Sequence, residues 1–332
     1  MARDENTASA RVRRRAPMAS CMPAPDRVCA AHVSASHAAC PSARVGEALY
    51  AAGALVHKRR DRPRNSTAAQ TPHAGSVEMA KIPVGLQIYT VREQMAEDPV
   101  ATLKAVADIG YAGVEGGTPS GMTTDDFLAV LSDTGMQVIG GGASAADLQN
   151  DIQKVVDNCG ALGINTVMMG FGGNLSESEW RTSVAGLAKG CANAAANGIR
   201  VLYHNHAHEL EQKVGDEACL DYLLSNIPAS DIGAELDVYW VKTGGEDPGE
   251  YIRKYAGRTP FLHIKDRAPS PADEECPFAE VGHGILDWDD IFTSAEAQPG
   301  VEWYIVEQDR WTRPPIESAR LSFEFLAAQG KV

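Results

Sequence analysis

From Lys81 onward the apolar positions follow two alternating rhythms. Short runs rich in Val, Ile, Leu and aromatic residues give way to longer stretches with apolar residues at helical spacing, and the cycle repeats eight times. The runs predict strands over 84–90, 113–115, 137–140, 166–170, 200–204, 233–239, 261–265 and 303–307. The stretches between them predict helices over 99–109, 124–133, 145–159, 176–196, 216–225, 248–255, 288–295 and 315–328. Gly110, Gly135, Gly163 and Gly198 follow predicted helices, where glycine enters the left-handed region at little cost. Ser176 stands three residues before Glu179, the spacing of a capping box. Several of the strands are apolar on both faces, as in a parallel sheet covered by helices. Eight such βα units in about 250 residues predict an α/β fold of one domain, a (β/α)8 TIM barrel over 79–332. An open, doubly wound sheet is the rival. The first strand, however, leads into Ile88, Tyr89, Thr90, Val91 and Arg92 rather than a GxGxxG turn.

Residues 1–78 carry neither rhythm. They are rich in Ala, Arg, Pro and Ser, contain RVRRRAP and HKRRDRPR, and read as a disordered, basic, low-complexity extension. Their longest apolar patch, 48–56, is too short and too far from the start for a secretory or membrane segment. Acidic residues and prolines argue against an organelle-targeting peptide. Met79 reads as the natural start, with the preceding residues belonging to an over-extended reading frame.

Charge divides at the same place. Before Met79 there are 12 Lys/Arg and 6 Asp/Glu; from Met79 on there are 18 and 38, so a basic extension precedes a strongly acidic body. Such a body repels phosphate backbones and argues against a nucleic-acid partner. The seven cysteines include no CxxC pair and are irregularly spaced, which predicts thiols of a reducing, cytoplasmic compartment.

In a barrel of this kind chemistry gathers where strands end on the C-terminal side. The predicted ends supply Gln87, Tyr89 and Arg92, then Glu115, and a run of glycines at 140–142 that leaves space for a ligand. They continue with His204 and His206; with Glu235, Asp237 and Tyr239; with His263 and Lys265; and with Glu307. All five histidines after Met79 (His204, His206, His208, His263 and His283) fall at these ends or in the loop before the eighth strand. Imidazoles and carboxylates together form a nitrogen–oxygen donor set that suits Mn²⁺, Co²⁺, Fe²⁺ or Zn²⁺ better than Ca²⁺. Period-two alternation puts His204 with His206, Glu235 with Asp237 and Tyr239, and His263 with Lys265 on shared faces. Glu235 then lies a layer deeper, as a carboxylate that orients a ligand rather than being one. Two assignments stay open. Lys265 either neutralises developing negative charge or pairs with Asp266, and Glu115 either touches substrate or makes a salt bridge inside the barrel.

The segments VGLQIYTVREQM, GYAGVEG, YHNHAHEL, ELDVYWVKTGG, FLHIKD, EVGHGILDW and WYIVEQDRW resemble the sugar phosphate isomerase/epimerase family of xylose isomerase-like TIM barrels. The resemblance runs from about residue 82 to the C-terminus. It implies one divalent ion (Mn, Co, Fe, Zn or Mg) held by His204, Asp237, His263 and Glu307. It also implies a sugar, keto-sugar or cyclitol bound by Gln87, Tyr89, Arg92, Glu115, Tyr239 and His283. Many relatives place Glu where this chain has His204, giving two glutamates that move a proton on opposite faces of the substrate. Here Glu307, or His206 beside the metal, is the candidate base, with Lys265 near the developing charge. The resemblance therefore implies a metal-dependent isomerase or epimerase. Relatives with a YHNH strand also resemble inosose dehydratases and 3-keto-sugar lyases, so elimination is the alternative. Remoter alternatives are an apurinic-site endonuclease, which the acidic body disfavours, and a sugar-binding barrel without catalysis or metal.

Overall fold

A computed structural model describes residues 81–269 and 276–332; the extension read at 1–78 lies outside them. The described residues are organised round a closed barrel of eight parallel strands. They are β1 (Val84–Gln87), β2 (Gly113–Glu115), β3 (Gln137–Gly142) and β4 (Thr166–Met169), then β5 (Arg200–His204), β6 (Ile232–Asp237), β7 (Phe261–Ile264) and β8 (Trp303–Val306). Each strand pairs with its neighbours in sequence, and β8 closes the ring on β1 with Tyr304 opposite Val84. This is the TIM barrel that the alternating rhythms predict.

The helices begin where side chains satisfy otherwise unpaired backbone amides. The Asp98 carboxylate accepts from Ala101 N at the head of Pro99–Ile109. Ser176 and Glu179 form a reciprocal capping box on Glu177–Ala196. Gly135 and Gly163, both left-handed, close Thr124–Thr134 and Ile152–Leu162.

Four predicted elements are redrawn, and the first is the strand expected over 84–90, which stops at Gln87 and passes into a 3-10 turn, Ile88–Val91. The helix expected over 145–159 is two, Ala145–Asn150 and Ile152–Leu162, because Asp151 leaves helical geometry to cap the second. The helix expected from 216 starts at Cys219, after Gly215 has turned a two-stranded ribbon of Lys213–Val214 and Glu217–Ala218. The strand expected over 233–239 stops at Asp237, whose carboxylate accepts from Trp240 N and opens a short helix, Val238–Thr243.

Inside the barrel, Ile139, Met168, Leu202, Phe261 and Ile305 pack as one apolar floor. Gly85 makes room for it: a Cβ there would lie 2.1 Å from Ile139 Cδ1. A larger apolar core fills the space between strands and helices, and Cys159, Cys191 and Cys219 are buried free thiols. No helix among the described residues is long and apolar enough to cross a membrane.

Candidate metal centre

One step above the floor the same strands change chemistry. His204 ends β5, Asp237 ends β6, His263 lies in β7 opposite Asp237, and Glu307 follows β8. One donor atom from each of these four side chains lies within 4.8 Å of the others. His263 Nδ1 is 3.1 Å from Glu307 Oε2 and 4.0 Å from Asp237 Oδ2. Two donors bonded to one ion at about 2.1 Å are themselves roughly 3 to 4.2 Å apart, so these spacings fit shared coordination.

Buried neighbours fix each ligand. His204 Nδ1 lies 2.9 Å from Glu235 Oε2, which leaves its other nitrogen for the centre. His263 Nε2 faces Glu115 Oε1 at 3.2 Å and Glu235 Oε1 at 3.4 Å, so its Nδ1 is the nitrogen turned toward Glu307. Carboxylates behind metal-binding imidazoles set their tautomer and aim. Glu115 is held in turn by a hydrogen bond donated by Gln87 Nε2. Asn205 joins the ends of β5 and β6, accepting from Asp237 N at 3.0 Å and donating to its carbonyl at 3.4 Å.

Asp237 is fully buried, and its two oxygens differ. Oδ1 accepts from Trp240 N at 2.9 Å, whereas Oδ2 has no hydrogen-bond partner and lies 3.5 Å from Lys265 Nζ. Burial raises the proton affinity of this carboxyl, and the Lys265 ammonium opposes it. The charges point the same way. Glu115, Glu235, Asp237 and Glu307 are all buried, the first two against His263 and the last two against Lys265. Burial and the adjacent Glu235 push Glu115 up to about 8, so it keeps its proton at neutral pH. Burial also opposes ionisation of Glu307, but Lys265 and His263 outweigh it and hold this carboxyl well below its usual range. Burial would lower His263, yet Glu235, Glu115 and Glu307 draw it well above an ordinary imidazole. With Glu115 protonated, the carboxylates of Glu235, Asp237, Glu307 and Asp309 outnumber the single ammonium. A divalent cation among the four donors takes up negative charge that Lys265 alone leaves unmatched, so the residues present fit the ion.

A cavity of about 760 Å³ opens beside this point. His204, His206, Lys265 and Glu307 line it near the centre, with Tyr89, Arg92 and Tyr239 farther round. The Lys265 ammonium lies 2.9 Å from Glu307 Oε2 and 2.8 Å from Asp309 Oδ2, over the rings of Tyr239, Trp240 and Phe278. Of the two readings left open for Lys265, the pairing with Asp266 does not occur. Asp266 instead accepts from the amides of Gly282, Gly284 and Leu286 and from Trp288 Nε1, and so organises the loop after β7. Arg92 is clamped between Tyr89 and Trp311 at 4.1 and 4.5 Å.

Three of the expected substrate-binding residues lie away from this cavity. Gln87 and Glu115 sit behind His263, which makes Glu115 an internal hydrogen-bonding partner rather than a group lining the cavity. His283 is exposed on the loop before Trp288–Glu296 and is not part of the lining.

Other lining residues were not singled out by the sequence: Trp240, Pro277, Phe278, Asp309 and Arg310. Asp309 lies two residues beyond Glu307, the step that separates Lys265 from His263, and carrying period two past β8 finds it. Phe278 arrives on a ribbon in which Asp266–Arg267 pairs with Phe278–Ala279, and no strand-end rule points there.

Residues 103–329 match a family model described as xylose isomerase-like TIM barrel. The inosose dehydratase of Clostridium perfringens is 27% identical over 161 residues, 44% of this chain and 53% of that protein. The chain thus spans about half the length of the curated relatives it matches. A solved sugar phosphate isomerase/epimerase from Parabacteroides distasonis superposes with a TM-score of 0.65 at 22% identity, covering 80% of this chain and 100% of that one. The probable 3-DHS dehydratase of Bacillus anthracis gives 0.59 at 16% identity, covering 74% and 98%.

Proposed function

The chain belongs to the xylose isomerase-like TIM barrel family, and from that premise we propose that it is a divalent-metal-dependent enzyme that removes a proton beside the carbonyl of a keto-sugar or keto-cyclitol and expels a hydroxyl as water. The observation that carries this reading is the convergence of His204, Asp237, His263 and Glu307 beside the cavity, with Asp237 Oδ2 buried and without a hydrogen-bond partner. A divalent ion held there supplies Lewis-acid chemistry, drawing electron density from the carbonyl and lowering the cost of losing the adjacent proton.

The chain's own groups divide the remaining work. Glu307, kept ionised by Lys265, is in the proton-accepting form at neutral pH. Burial would release the Lys265 proton, but Glu307, Asp237 and Asp309 outweigh it, so the ammonium persists as a hydrogen-bond donor to an oxygen that gains charge. Burial, with His204 and Lys265 beside it, pulls His206 down to about 3. Its ring is then neutral and serves as a hydrogen-bonding partner for a substrate hydroxyl rather than as the base. Tyr239, Trp240 and Phe278 wall the cavity and exclude water from this side.

Elimination is favoured because the site pairs one ligand carboxylate with a persistent ammonium, and because the curated relatives are named inosose dehydratases. Isomerisation or epimerisation is the second reading. The likeness to the Parabacteroides distasonis protein over 80% of the chain favours it.

Protein stripped of metal and reloaded with Mn²⁺ is incubated with inososes and keto-sugars in D₂O, with carbon-bound hydrogen followed by NMR and product mass by mass spectrometry. Metal-dependent exchange with loss of water is the expected result. Exchange without loss of mass selects the second reading, and absence of exchange across the panel rejects both. Glu307→Gln should lower turnover more than metal content.

A further inference from the structure

The segment after β5, running into the short helix His208–Glu211, carries three donors that the four-ligand centre does not use. One donor atom each from His206, His208 and Glu209 lies within 4.8 Å of the others. His206 Nδ1 and His208 Nε2 are buried, and neither has a hydrogen-bond partner. Leaving a buried polar atom unpaired costs free energy, so two on one short segment require an explanation. Glu209, with no exposed surface, is already oriented: the Tyr203 hydroxyl donates to Oε1 at 2.9 Å and His206 N to Oε2 at 2.8 Å. Anchoring the turn accounts for those two bonds but not for the two idle nitrogens. His208 Nε2 lies 3.2 Å from Glu209 Oε1, out of line for a hydrogen bond, yet at a spacing that two ligands of one ion adopt. The two rings lie stacked, with centroids 5.8 Å apart and planes inclined by 18°, so one ring turns when both lone pairs are to meet one ion.

We infer that His206, His208 and Glu209 form a second divalent-cation site, of the zinc class, beside the first. Two imidazoles and one carboxylate leave a coordination position open, as zinc sites that accept an outside ligand do. The Tyr203 hydroxyl and the His206 amide hold the carboxylate from behind. His206 borders the catalytic cavity, with its ring centroid 4.9 Å from that of His204. The second ion would therefore lie next to the cavity, with His206 between the two centres. The inference uses none of the four ligands of the first centre and can fail without it.

The test is zinc stoichiometry on the full chain. Protein stripped with chelator, re-equilibrated with Zn²⁺ and desalted is analysed by elemental mass spectrometry, alongside His208→Gln and Asp237→Asn. Two ions per chain are expected for the unaltered protein and one for each variant, and the ion kept by His208→Gln also shows that its barrel is folded. Anomalous scattering from a crystal of the unaltered protein should give a peak among His206, His208 and Glu209, which decides the matter should the variant not fold. One ion in the unaltered protein overturns the second site and leaves the first standing. Two ions in both the unaltered protein and His208→Gln also overturn it, since the second then binds elsewhere. No ion at all removes both centres.

Discussion

The floor and the mouth of the barrel are built on the same strands, one alternation apart. Leu202 lies two residues below His204, Phe261 two below His263, and Ile305 two below Glu307. The lower set packs as apolar surface, while the upper set buries ions against ions. Burying apolar area stabilises the fold, whereas burying charge costs free energy unless every group is matched. The barrel therefore separates the two roles by height. The floor holds the strands in register, and the mouth spends part of that stability on a preorganised cluster.

The sharpest break of this comparison is Asp237→Asn at the mouth. The amide keeps an oxygen for Trp240 N but cannot supply an anionic donor, so the ion of the four-residue centre and the activity should both be lost, one ion fewer per chain, while the melting temperature is preserved. Elemental analysis with a thermal melt checks it, and an unfolded variant would place structural work at the mouth. The complementary break is Phe261→Ala in the floor. It should cost about 3–5 kcal/mol in denaturant unfolding, with turnover per folded molecule kept. Between the layers, Glu235→Gln should weaken metal affinity roughly 10- to 100-fold through the loosened His204 and His263, as loss of an orienting carboxylate does. Titration of the metal-free protein measures this. The smallest effect belongs to Arg200→Ala at the foot of β5. The exposed pair with Glu302, at 2.6 and 2.7 Å, should be worth under about 1 kcal/mol and leave metal binding unchanged.

Legibility in the sequence follows the same division. The floor and the strands were readable because parallel strands covered by helices must be apolar on both faces, and that pattern is local. The positions of His204, Asp237, His263 and Glu307 at strand ends were readable for the same reason. Partnerships across the barrel were not. Lys265 has Asp266 beside it in sequence but pairs with Glu307 and Asp309, forty residues or so away, because barrel closure, not adjacency, brings β7 against β8. Asn205, buried between the two histidines, drew no role from sequence because its work is tying two backbones together. The break at Asp151 was missed because a capping side chain and an interior one look alike until the backbone turns.

The divided carboxylate of Asp237 has a mechanical consequence. Its Oδ1 fastens the first turn of Val238–Thr243, the helix that carries Tyr239 and Trp240 into the cavity wall, while Oδ2 points at the ligand cluster. An ion drawing on Oδ2 thus pulls on the same lever that sets the wall. Cargo and container are hinged at one side chain. The amide proton of Trp240 then becomes an internal gauge, and its exchange with solvent deuterium should slow as metal is titrated in.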